Sequence, residues 1–180
     1  MRGSVLSLPC AEASHDVVLC QLGLQFVPGR PVALAQMRRV LAPGGRLGVS
    51  VYGPIEHNPA AFALAGALDR HLGPDASVTK RAEHALADPA LLRTLAAGAG
   101  FCRVQIVTGT RIIRFASAAD YVRIQLTATP LASLLRHQAE GSIRQLAETL
   151  TADVAAALQV SQAGGGLAFP QQAHVLLAST

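Results

Sequence analysis

The stretch from His15 to Tyr52, HDVVLCQLGLQFVPGRPVALAQMRRVLAPGGRLGVSVY, decides the fold of this chain. After Asp16 it contains the continuous apolar run Val17 to Cys20, which is typical of a strand buried on both faces of a parallel sheet. The next residues, Gln21 to Gly29, fit neither helical nor strand periodicity. They predict a loop at the carboxyl end of the strand, a position at which ligands commonly bind.

A helix and a second strand follow this loop. Pro31 suits the first position of a helix, and apolar residues recur at helical spacing from Leu34 to Leu41. Pro43-Gly44-Gly45 predicts an abrupt helix end, and Arg46 to Tyr52 alternates as a strand does. A strand, a helix and a strand in this order form the right-handed building block of doubly wound α/β folds, so we predict a parallel sheet.

The rest of the chain predicts more helices and two more strands. Asn58-Pro59 suits the start of a helix that ends at Gly73, and Ser117 resembles a capping residue for a helical region with breaks at Pro130 and Gly141. The predicted elements are helices over about 59–72 and from 89 to about 97, a strand over 101–115, helical structure from 117 to about 162 and a last strand over 174–178.

Length and composition favour one globular domain over residues 1–180. The 180 residues are 51% hydrophobic and only 4% aromatic, which suits helices packed on a sheet. Within this domain we expect a helical lid or substrate region at about 117–163. No stretch approaches the roughly 20 apolar residues that a membrane span requires, so no membrane partner is predicted.

The charge, the cysteines and the histidines indicate which partners, compartment and metal sites to expect. The net charge is +4, and all the basic residues except Lys80 are scattered arginines without a basic stripe, which predicts solvated faces and no nucleic acid partner. Cys10, Cys20 and Cys102 form no CxxC pair, which suggests free thiols in a reducing compartment, namely the cytoplasm. The histidines lack the spacing of metal ligands, so no metal site is predicted.

Three segments, DVVLCQLGLQF, VALAQMRRVLAPGGRLGVSVY and IEHNP, resemble the second half of a known family. This family is the type-11, ubiquinone-methyltransferase-like class I S-adenosylmethionine-dependent methyltransferases. The segment RVLAPGGRL between helix and strand is the most specific part of the resemblance, which extends more weakly to LAFPQQAHVLLAS near the end. It implies S-adenosylmethionine as the cofactor and a small molecule as the methyl acceptor.

The resemblance also implies a partial Rossmann-like sheet with helices on both faces and a helical insertion before the last strand. The family's sheet has strand order 3, 2, 1, 4, 5, 7, 6, with the last strand antiparallel. On this template the chain supplies strand 4 at 17–20, strand 5 at 46–52, strand 6 at 101–115, strand 7 at 174–178 and a remnant of strand 3 at 5–8.

Strands 1 and 2 of the template have no counterpart in this sequence. The glycine loop and the acidic residue that binds the ribose belong to these strands, so they are missing as well. The resemblance therefore implies an N-terminally truncated methyltransferase with impaired activity. The alternative is a noncatalytic relative with a binding or oligomeric role. The edge left at Val17 to Cys20 should be covered by Val5 to Leu8, pair in a homodimer, or lower the stability of the chain.

The resemblance assigns candidate residues to three parts of the site, although it identifies no catalytic residue. The adenine side is matched by Ser4, Val5 and Leu6, with Ser4 in place of the family's acidic residue. The sulfonium and carboxylate end is matched by Cys20, Gln21 and Leu22. The substrate entrance is matched by Tyr52, His57 and Asn58.

Three of these residues have alternative interpretations. A cysteine that closes an apolar strand is usually a packing residue, so Cys20 is expected to pack rather than act as a nucleophile. Gln21 can either bind ligand or stabilise its loop. His57 can act as a general base for the methyl acceptor, although a capping or surface role is the simpler expectation.

Overall fold

The computed structural model of the chain describes residues 2–136, 139–159 and 166–180. These residues form a mixed α/β structure, and none of their helices is long and apolar enough to cross a membrane. The elements are β1 His15–Gln21, α1 Arg30–Val40, β2 Leu41–Tyr52, α2 Pro59–Leu72, α3 Val78–Ala82, α4 Pro89–Gly98, β3 Cys102–Phe115, α5 Ala118–Ala128, α6 Glu140–Ala157 and β4 Leu167–Ser179.

The four strands form one sheet in the order β1-β2-β4-β3. β1 runs parallel to β2, with Cys20 opposite Val49, whereas β4 runs antiparallel to β2, with Leu176 also opposite Val49. In the numbering of the template this order is 4-5-7-6. The predicted α/β class, the order of these strands and the reversed direction of the last one are therefore confirmed.

The segment from Val5 to Leu8 is not a strand, and this part of the prediction is wrong. The chain reverses between Ser4 and Ser7, where the Ser7 N–H donates to the Ser4 carbonyl at 3.0 Å. Arg39 then fixes the segment to α1, because its Nη2 donates to the Leu8 carbonyl at 2.8 Å. The turn leaves the segment unable to pair with β1, so β1 forms one edge of the sheet.

The described residues divide into two compact units. The first comprises Met1–Pro54, Glu83–Gly109 and Gln172–Thr180, and the second comprises Ile55–Ala82 and Thr110–Gln171. In the first unit, α1 and α4 pack against one face of the sheet and bury Leu34, Met37, Leu47, Val49 and Leu92. In the second unit, α2, α5 and α6 surround a separate core that includes Leu64, Leu68, Val122, Leu150 and Phe169.

The burial predicted for β1 on both faces is also wrong. Val18 and Cys20 are half-buried against the core of the first unit, but Leu19 is 78% exposed and Val17 is 43% exposed. Alternate residues of a strand face opposite sides of a sheet, and the helices of this unit pack with the side that carries Val18. Leu19 therefore lies on an exposed face, beside Gly48 of β2.

Local signals placed several helix ends correctly. Asp88 accepts from the Ala90 N–H at 2.8 Å, Ser117 accepts from the Asp120 N–H at 3.0 Å, and Gly73 has the positive φ of +105° that a glycine terminator provides. The predicted break at Pro130 is present, because α5 ends at Ala128, and the break predicted at Gly141 lies just before that residue, because α6 begins at Glu140. The predicted end of the helical region at about Gln162 lies outside the described residues.

Candidate functional site

The loop after β1 holds a strained residue in a fixed position. Gln21 is the last residue of β1 and lies opposite Ser50 of β2. Leu22 follows with a φ of +48°, a left-handed conformation that costs a non-glycine residue about 1–2 kcal/mol. Its N–H donates to the Ser50 carbonyl at 2.9 Å, so the first hydrogen bond beyond the strand fixes this conformation to β2.

Gln25 holds the carbonyl side of the same residue. Its side chain is buried, and Nε2 donates to the Leu22 carbonyl at 3.1 Å. The backbone of Gln25 is fixed in turn, because Arg30 Nη2 donates to its carbonyl at 3.2 Å. Gln25 was not among the predicted site residues. A polar residue between Leu24 and Phe26, in the loop that follows β1, was the available signal.

Cys20 packs into the base of this loop. Burial raises the pKa of the Cys20 thiol above its ordinary value of 9.0, although hydrogen bonds from the backbone of Gly23 and Leu24 to the sulfur oppose the rise. The thiol is therefore protonated at neutral pH. This state suits a packing role, since only the thiolate is a strong nucleophile.

The adenine-side candidates lie next to the loop that leads into α1. Ser4 is exposed, and its Oγ accepts from the Leu6 N–H at 3.2 Å. Leu6 reaches Gly29, where an added Cβ would lie only 3.1 Å from Leu6 Cδ2. Gly29 precedes α1, so Leu6 contacts the end of the loop that begins at Gln21.

Tyr52, at the end of β2, stacks on His84, a histidine that was not predicted to be a site residue. The ring centroids of Tyr52 and His84 are 5.2 Å apart, with an angle of 31° between the planes. His84 Nδ1 lies 2.7 Å from the Gly53 carbonyl oxygen, so Nδ1 carries the hydrogen and donates. Burial, and then the nearby charge of Glu83, raise the pKa of Tyr52 above its ordinary value of 10.0. Tyr52 is therefore a neutral phenol.

His57 and Asn58 belong to the second unit, whereas Tyr52 belongs to the first. His57 is exposed and ends the short 3₁₀ helix Ile55–His57. Asn58 is only 2% exposed and precedes α2 without a side-chain capping hydrogen bond. Its backbone carbonyl accepts from the Phe62 N–H at 3.0 Å. That these three residues share a substrate entrance stays a prediction.

Potential metal ligands do not cluster among the described residues. Within these ranges, no group of three or more His, Cys, Asp or Glu side chains could hold a metal ion. Cys10, Cys20 and Cys102 are free thiols, and Cys102 is exposed. The candidate site residues therefore offer backbone groups, amides, a hydroxyl, a phenol, imidazoles and a neutral thiol.

Residues 1–49 match the model of a methyltransferase domain family. Two curated relatives share 39% and 41% identity with the chain over 74 and 69 residues, which are 40% and 38% of its length. They are a malonyl-[acyl-carrier protein] O-methyltransferase from Xylella fastidiosa and a demethylmenaquinone methyltransferase from Deinococcus radiodurans. The matches span only 25% and 27% of the relatives, about a quarter of their length.

A solved structure shows the same fold. It is a phosphoethanolamine N-methyltransferase 2 from Haemonchus contortus in complex with S-adenosyl-L-methionine. The superposition has a TM-score of 0.52 at 14% identity, and it covers 98% of this chain and 36% of the other. At this level of identity the likeness concerns the fold alone.

Proposed function

We propose that this chain is a class I methyltransferase and serves S-adenosylmethionine-dependent methyl transfer to a small molecule, because residues 1–49 match a methyltransferase domain model and two partial relatives are methyltransferases. The observation that carries the proposal is the fixed loop after β1. There Leu22 is held in a left-handed conformation at the carboxyl end of a parallel strand pair. Ligands of doubly wound α/β folds bind at that end of the strands.

In this proposal Cys20, Gln21 and Leu22 contact the methionine end of the donor. The exposed amide of Gln21 stands at the last position of β1 and offers both a donor and an acceptor. The sulfonium of S-adenosylmethionine is already activated, so the protein has mainly to hold donor and acceptor in line. A protonated Cys20 fits beside it, because a thiolate would itself compete for the methyl group.

Ser4, Val5 and Leu6 face the adenine in the same proposal. Two features support it: Leu6 contacts Gly29 at the end of the loop after β1, and residues 1–49 are the part that matches the family model. Ser4 offers a neutral hydroxyl where the resembled family has a carboxylate. Neutral hydrogen bonds contribute about 1 kcal/mol against about 1.5–3 for charged ones, which implies a weak adenine contact and impaired activity.

The acceptor is proposed to be a small molecule whose identity is set by residues such as Tyr52, His57 and Asn58. The names of the two relatives give chemically different acceptors, malonyl-[acyl-carrier protein] and demethylmenaquinone. His57 is exposed, so its imidazole is accessible to an acceptor proton and remains the candidate general base. The free thiols support a reducing compartment, which we take to be the cytoplasm.

A noncatalytic, oligomeric role is the second candidate, and one observation favours it. β1 lies at the edge of the sheet with Leu19 78% exposed. An apolar edge strand readily pairs with another strand, so we propose a homodimer through Val17 to Cys20 as the form in which such a role would operate.

Calorimetric titration of the purified chain with S-adenosylmethionine tests the proposed function. We expect weak binding, and we expect Gln21→Ala to weaken it by about a further tenfold, equivalent to about 1.4 kcal/mol. The matched control is Gln105→Ala, since Gln105 is also an exposed strand glutamine but lies in β3. Wild-type chain that releases or absorbs no heat of binding at millimolar cofactor would refute the proposal.

A further inference from the structure

The conformation of Leu22 requires an explanation beyond its own sequence. A leucine with φ of +48° is strained, and such conformations persist only where the surrounding structure over-determines them. Ser50 holds one side of the residue, because both its carbonyl and its Oγ lie within hydrogen-bond distance of the Leu22 N–H, at 2.9 and 3.3 Å. The Leu22 carbonyl on the other side is held by Gln25 alone among the hydrogen bonds found in the described residues.

The buried side chain of Gln25 lowers the stability of the fold at this position. Its side chain is only 4% exposed, and within the described ranges its Oε1 has no hydrogen-bond partner. A buried acceptor without a donor costs roughly 1–3 kcal/mol of stability. The donation from Nε2 to the Leu22 carbonyl is thus the polar contact that the side chain makes there. A contribution to stability does not explain why a buried amide is present at position 25. Its role in orienting Leu22 does explain it.

We propose that Gln25 is a positioning residue for donor binding. By holding the Leu22 carbonyl, it keeps the Leu22 peptide in the left-handed turn that presents Gln21 and Leu22 to the methionine end of the cofactor. This inference rests on the proposed function. It adds a residue that touches the binding loop rather than the ligand, so its loss should change affinity through the geometry of the loop.

The direct test replaces the amide without changing its volume. Gln25→Met removes both the donor and the unpaired acceptor, and Gln25→Leu serves as a second variant if the first fails to fold. We expect each to raise the calorimetric Kd for S-adenosylmethionine by about tenfold while the Tm changes little. The control is Gln125→Met, which removes the acceptor of a 2.6 Å hydrogen bond from Lys80 in the second unit and should leave the Kd unchanged.

A double-mutant comparison separates positioning from simple destabilisation. Glycine adopts positive φ without the steric cost that leucine has, so Leu22→Gly should make the loop independent of Gln25 for its conformation. We expect Gln25→Met to weaken binding much less in the Leu22→Gly background than in the wild-type background. Hydrogen exchange without cofactor should show faster exchange of the Leu22 amide in Gln25→Met than in wild type.

The outcomes distinguish this inference from the proposed function. If wild type binds and Gln25→Met binds equally well, with an unchanged Leu22 amide, the positioning role is refuted and the proposed function stands. If the two substitutions weaken binding additively, the coupling to Leu22 is refuted. If wild type does not bind S-adenosylmethionine at all, the proposed function fails and the positioning role fails with it.

Discussion

The imidazole of His84 stacks on the phenol of Tyr52, with the ring centroids 5.2 Å apart. The same imidazole donates from Nδ1 to the Gly53 carbonyl, the next residue after Tyr52. His84 thus fixes both the side chain at the end of β2 and the backbone that follows it. The environment that raises the pKa of Tyr52 depends on this contact, since burial is its first cause.

Removing His84 should therefore change the ionisation of Tyr52. We expect His84→Ala to lower the pKa of Tyr52 towards its ordinary value of 10.0, because the phenol becomes more solvated. Absorbance titration of the phenolate measures this, with Tyr121→Phe as the background that leaves Tyr52 as the single tyrosine. An unchanged midpoint in His84→Ala would show that His84 does not bury Tyr52.

The cysteines should differ in reactivity. Cys102 is exposed, whereas burial raises the pKa of Cys20, so alkylation near pH 8 should modify Cys102 well before Cys20. Mass spectrometry after timed exposure to iodoacetamide gives both rates. Raising the pH should accelerate modification of Cys20. If Cys20 reacts first, its thiol is not in the buried, protonated state described above.

Asp153 of α6 should contribute to stability in a pH-dependent manner. The hydrogen bond from Arg70, and then that from His71, lower the pKa of Asp153 below its ordinary value of 3.8. A lowered pKa in the folded state stabilises the fold above the unfolded value, and this stability is lost as the pH falls through the folded pKa. The ion pair is largely solvated, so the contribution is about 0.5 kcal/mol.

Urea unfolding of Asp153→Asn at two pH values measures this contribution. We expect the variant to be less stable than wild type at pH near 7, and we expect this deficit to shrink at a pH below 3.8, as the wild-type carboxylate becomes protonated. Asp75→Asn is the control, since Asp75 is an exposed aspartate of the same unit. An equal deficit at both pH values would mean that the charge of Asp153 is not responsible.

The edge at β1 predicts a concentration-dependent dimer. Leu19→Lys places a charge on the most exposed apolar residue of the edge, so it should shift the chain towards monomer. Val107→Lys is the control, because Val107 is exposed at 45% but lies in β3. Analytical ultracentrifugation measures the fraction of dimer in the wild type and in both variants. A monomeric wild type at all concentrations, or equal effects of both variants, would refute pairing through β1.

Features that depend on neighbouring residues in the sequence were predictable. Asp88 and Ser117 cap helices as their local patterns indicate, since a capping hydrogen bond spans only two or three residues. The continuous apolar run of β1 also predicted a strand, and the resemblance predicted its place in the strand order.

Features that depend on distant residues were not predictable. Arg39 was expected to be a solvated residue, yet it donates to the carbonyls of Leu8 and Cys10, which lie 31 and 29 positions away. Those contacts explain why the segment at Val5 turns back instead of forming a strand. Gln25 was missed for a different reason. It supports the left-handed conformation of Leu22, and a leucine in the sequence does not indicate that conformation.

The most direct test of the central claim maps the donor onto the chain. In an amide NMR titration with S-adenosylmethionine, we expect the largest shift changes at residues 20–25, with smaller ones at residues 4–6. Gln21→Ala should reduce them. Binding with shift changes confined to the second unit would contradict the proposed donor site, because the donor would then bind away from the loop after β1.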